Sequence, residues 1–77
     1  MPTISETRGQ RIARRRVALG LTQEDLARLC ECSVRTIHRI EAGENASITT
    51  VLIDELHRHL DIPLRELGSA ARRGKGA

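Results

Sequence analysis

TQEDLARLCECSVRTIHRIE, residues 22–41, decides how the rest of this 77-residue chain is read. It has the pattern of a helix, a sharp turn and a second helix. Thr22 offers a hydroxyl cap, and Asp25, three residues on, returns the hydrogen bond while placing negative charge at the positive end of a helix. Leu26, Ala27 and Cys30 then recur at helical spacing, and the small Ala27 lets another helix cross close by. After Cys30 the period breaks. Ser33 supplies a second N-cap oxygen before Val34, Ile37 and Ile40 resume the pattern, so a second helix is expected from about Val34 to Glu41, stopped by Gly43. Its outer side carries Arg35, Thr36, His38 and Arg39. Two short helices meeting at an angle, the second presenting arginines to solvent, have the geometry for insertion into a DNA major groove.

These residues resemble the helix-turn-helix of the phage-repressor and Cro family, the Xre-type regulators. The matching positions are Thr22 and Gln23 opening the first helix, Leu26 and Ala27 one turn later, Ser33 capping the second, and Ile37, Ile40 and Glu41 within it. The likeness extends from about Gly9 to Leu67. It implies an all-α, five-helix, lambda-repressor-like DNA-binding domain over residues 1–68 with its motif at 22–41. It also implies a cytoplasmic transcription regulator that binds double-stranded DNA as a homodimer on a paired operator. A different class of function stays open beside this one: an antitoxin-type module that binds a toxin protein and autoregulates its operon. Three positions depart from the family pattern. Glu31 stands at the turn where glycine is usual, and a side chain there costs about 1–2 kcal/mol if φ is positive. Arg15 takes a commonly apolar place, and Asp54 lies in a helix that is usually more apolar.

Composition agrees with a small helical domain. Seventy-seven residues allow one domain at most, with little room for an enclosed active site. With no Phe, Tyr or Trp, the core must come from Leu, Ile, Val, Ala and cysteine, and no base-stacking platform for single strands is available. The net charge of +3 is unevenly spread: residues 1–21 hold five Arg against one Glu, and the last ten residues add three basic groups and no acid. A phosphate backbone is the natural counterpart, although membrane surfaces and acidic proteins attract the same charge. No apolar run has the length of a membrane span or a signal-peptide core.

On the amino-terminal side, Thr3 and Glu6 fit a capping box for a helix that ends at Leu19, with Gly20 as its stop. Ile12 and Leu19, flanked by Ala13 and Val17, give it an apolar side. Arg8, Arg11, Arg14 and Arg15 then face outward, either as a solvated face or as phosphate contacts. Matched to the family, Arg16 and Glu41 take the places of an ion pair joining the first and third helices. On the carboxyl side, residues 44–47 have turn chemistry, and a fourth helix runs from Ser47 or Thr49 to about Leu60, with Leu52, Ile53, Leu56 and Leu60 on one side. Pro63 interrupts it and suits the first position of a short fifth helix reaching Leu67. The family likeness places a dimer contact here, at Ile62, Leu64 and Leu67. Residues 69–77 read as a basic disordered tail, solvated or adding nonspecific DNA affinity.

Two jobs divide the DNA-facing residues. By family position, Gln23, Ser33, Thr36 and Asn45 are expected to meet the sugar-phosphate backbone, and Val34, Arg35 and Arg39 to meet base edges. An arginine pairs with guanine O6 and N7, and valine covers a thymine methyl. Cys30 and Cys32, one residue apart, chelate poorly and fit the family's apolar positions under the turn. His57 and His59 do not share a helical face. No metal or cofactor is implied, and no nucleophile set, phosphate loop or paired carboxylates suggests an enzyme.

Overall fold

Ile12, Leu26, Ile37, Ile40, Leu56, Leu60 and Leu67 surround one another with under 2% of their surface left to solvent, and they are the reason the five helices lie where they do. Each such side chain contributes roughly 1.5–3 kcal/mol by leaving water. In the computed structural model, which describes residues 6–44 and 48–68, the helices are α1 (Arg8–Ala18), α2 (Gln23–Leu29), α3 (Val34–Glu41), α4 (Thr50–Leu60) and α5 (Leu64–Leu67). Among the described residues there is no strand, so the fold is all-α. No helix among the described residues is long and apolar enough to cross a membrane.

Local chemistry sets most of the helix starts. Thr22 accepts from Asp25 N while Asp25 accepts from Thr22 N, a reciprocal box that holds the Asp25 carboxyl below its usual range, chiefly through the Thr22 backbone N–H. Ser33 caps α3 through Thr36 N, and Thr49 caps α4 through Leu52 N. The start of α1 differs from expectation. Thr3 lies outside the described residues; Thr7 is the cap and Gln10 closes its box. Glu6 instead takes a two-pronged contact from Arg14 at 2.6 and 2.9 Å, which holds its carboxyl low. Pro63 sits one place earlier than expected, as the N-cap of α5.

Three helices end in one motif. Gly20, Glu31 and Gly43 each have positive φ, and each is followed by a backbone N–H that reaches back to the carbonyl five residues earlier: Leu21 to Arg16, Cys32 to Ala27, and Glu44 to Arg39. Glu31, with φ 56°, adopts without glycine the conformation its two counterparts reach with it. The turn between α2 and α3 therefore keeps its shape, and the backbone carries the strain.

Helix α1 is tied down by its arginines. Arg8 donates to Leu67 O at 2.6 Å and Arg15 to Leu60 O at 2.8 Å, so each meets the final carbonyl of α5 and of α4, where a cation suits the negative helix end. Arg11 pairs with Glu66 at 2.9 Å. The four outward arginines of α1 are thus engaged within the chain rather than simply solvated. Gly9, in the same helix, lies so close to α3 that a Cβ there would come within 2.7 Å of Glu41 O and closer still to Ile40 O.

Candidate nucleic-acid interface

Helix α3 has two unlike sides because its apolar residues recur every three or four positions. Ile37 and Ile40 are buried in the core, while Val34, Arg35 and His38 are exposed and Arg39 is partly so. At 100° per residue the four outer positions form one continuous strip. Beside its amino end, the start of α2 forms a shallow groove lined by Arg16, Leu21, Thr22, Gln23, Glu24 and Val34. This brings Gln23 next to the first residue of α3.

The two helices are held in that relation by a four-part polar cluster. Arg16 donates to both Glu41 oxygens at 2.7 and 3.1 Å and to Leu21 O at 2.8 Å; Gln23 Nε2 donates to Glu41 Oε1 at 2.9 Å. The Arg16 and Glu41 side chains keep only 14% and 7% of their exposure, so water competes poorly for these bonds. Glu41 therefore ties α1, α2 and α3 together from one carboxylate. Gln23 has one end of its amide committed inside the protein.

The remaining candidates are placed as follows. Ser33 Oγ lies 3.0 Å from Thr36 Oγ1 and accepts from Thr36 N, a local hydroxyl pair at the start of α3. Val34 is 42% exposed. Arg35 has no hydrogen-bond or ion-pair partner among the described residues. Arg39 is held by Glu44, its Nε donating to Glu44 Oε1 at 2.9 Å. Sequence reasoning missed this contact, since the five-residue spacing is not a helical neighbour relation and is closed only by the turn at Gly43. Asn45 lies outside the described residues, as does the tail at 69–77.

The three residues expected at the dimer contact differ in exposure. Ile62 is 2% and Leu67 0% exposed, because the chain turns back at Asp61 and uses both to close its own core. Neither has surface to give a second copy; of the three, Leu64 does, at 49% exposure. His57 Nδ1 donates to Ile62 O at 2.7 Å, and His59 meets Glu55 at 3.1 Å. Cys30 is buried, and its thiol is pushed up to about 12 by that burial; Cys32 is half-buried and raised for the same reason. Both sit where packing suppresses the reactive thiolate.

A family model described as a helix-turn-helix domain matches residues 9–70. Among solved structures, the chain is similar to the restriction-modification controller protein C.AhdI from Aeromonas hydrophila. The two are 38% identical over 78% of this chain and 89% of that one, with a TM-score of 0.69. No curated protein sequence matches.

Proposed function

This chain belongs to the helix-turn-helix domain family, and from that premise we propose that it is a non-enzymatic transcription regulator of the cytoplasm. It binds duplex DNA sequence-specifically as a homodimer on a paired operator. Helix α3 enters the major groove with Val34, Arg35 and Arg39 toward base edges. Gln23, Ser33, Thr36 and Asn45 fix its register on the phosphates. The observation that carries this reading is the division of α3: Ile37 and Ile40 are locked in the core while both arginines stand on the opposite side. Likeness to a restriction-modification controller protein supports regulation of gene expression as the outcome. Leu64 is the apolar residue of the carboxyl segment left for the contact between copies.

Selection of bound fragments from a random duplex pool tests the proposal. Two inverted half-sites about one helical turn apart, roughly 10 base pairs centre to centre, are expected. A pool that returns no enriched sequence would count against the specific regulator, and a lone half-site against the dimer.

A further inference from the structure

We propose that Glu44 is a positioning residue for Arg39, holding its guanidinium by the Nε edge so that the two terminal nitrogens are presented together to a guanine. The inference rests on the reading of Arg39 as a base-reading residue and adds what makes it selective.

The backbone places Glu44 for this task. Its N–H donates to Arg39 O at 2.9 Å, and Gly43, at φ 100°, donates to Ile40 O at 3.1 Å, so the residue after α3 is folded back onto the helix end. From that fixed origin its carboxylate reaches Arg39 Nε at 2.9 Å. The two residues are therefore joined twice, once through the main chain and once through the side chains. At 42% and 56% side-chain exposure, the ion pair adds little to folding stability. Its consequence is orientation. A guanine offers two acceptors, O6 and N7, to two parallel donors, and a carboxylate on Nε leaves both Nη nitrogens for them. Arg35, with no partner among the described residues, has no such restraint.

The negative charge has a second effect. Near DNA, Glu44 repels phosphate and weakens binding to every sequence alike. It also competes with phosphate for Arg39, so on a duplex without the matching guanine the guanidinium is less readily drawn to the backbone. The role of Glu44 is thus read in discrimination between sequences and not in affinity alone.

The test uses the full chain and two duplexes: its selected site, and the same site with the Arg39-dependent G·C pair changed to A·T. Dissociation constants at one salt concentration give a discrimination ratio for the wild type, R39A, E44A, E44Q and the R39A/E44A double variant. Glu44→Ala should lower the ratio about 2- to 10-fold, the cost of ordering one free arginine side chain. Glu44→Gln, which keeps an acceptor oxygen, should retain more of it, and in the R39A background Glu44→Ala should leave the ratio unchanged while raising affinity for both duplexes. A wild-type ratio in both Glu44 variants, with R39A collapsed, overturns the positioning role and leaves Arg39 as a reader. Equal losses in E44A and E44Q assign the effect to charge and also overturn it, as does a loss that persists without Arg39. If R39A discriminates as the wild type does at every base pair, the underlying reading of Arg39 fails, and the proposal with it.

Discussion

Gly9 and Glu41 meet backbone to backbone, with no room between them for a side chain. A Cβ at residue 9 would stand 2.7 Å from Glu41 O, and the obstructing atoms are main-chain carbonyls at the end of α3, which cannot rotate away. The close crossing places Arg16, two turns further along α1, beside the Glu41 carboxylate. Gly9→Ala should therefore destabilise the chain by about 1–3 kcal/mol, although alanine is the better helix former. Urea unfolding followed by circular dichroism measures this; a midpoint equal to the wild type would show that the helices can part at no cost.

The Arg16–Glu41 pair should behave as a unit. Glu41→Ala strands a largely buried guanidinium and releases Gln23, for a loss of about 2–4 kcal/mol; Arg16→Met strands the carboxylate similarly. Replacing both by Met should cost less than the sum of the two single changes, since no unpaired charge is then left. Strict additivity in the same unfolding measurement would contradict the pairing.

Glu31 is the site for an expected gain. It holds φ 56° at the place where Gly20 and Gly43 end their helices, and it is exposed. Glu31→Gly should raise stability by about 0.5–1 kcal/mol, the relief of a left-handed side chain less the added freedom of the unfolded glycine. A lower melting temperature in the variant would place the constraint in the Glu31 side chain instead.

Cys30 should make the fold sensitive to alkali. Burial raises its folded value to about 12 from an ordinary 9.0. Below about pH 8 the thiol is essentially neutral in both states and contributes little pH dependence. As pH rises from there toward 12, only the unfolded chain gives up the proton, so stability falls. With no tyrosine and Lys75 as the single lysine, few other groups titrate in that window. Urea midpoints at pH 8 and pH 10 should drop in the wild type and drop less in Cys30→Ala; equal drops would show the thiol is not responsible.

What the sequence revealed was what is decided within a few residues. Thr22 with Asp25, and Ser33 ahead of Val34, mark helix starts because each cap is satisfied three residues on, and the α2–α3 unit lies where those marks put it. The start of α1 was ambiguous for the same reason. Thr3 with Glu6 and Thr7 with Gln10 both have capping-box spacing, and only tertiary contacts, Glu6 to Arg14 and Gly9 against α3, favour the second. Helical periodicity told which way the α1 arginines point, but not that the carbonyl ends of α4 and α5 would stand beside Arg15 and Arg8. Likewise, Ile62 and Leu67 lie in a turn and a single helical turn, too short for any period to tell core from contact surface. At the interface, the pairing of Arg39 with Glu44 was hidden by a turn whose geometry no linear spacing expresses.

The most direct test compares duplexes selected from one random pool by the wild type, Arg35→Ala and Arg39→Ala. The expected result is a changed base preference for at least one variant, confined to a few positions in each half-site, with discrimination there reduced by about 1–3 kcal/mol. If both variants select the wild-type sequence with undiminished preference, the outer face of α3 does not read bases, and the function proposed for it is wrong.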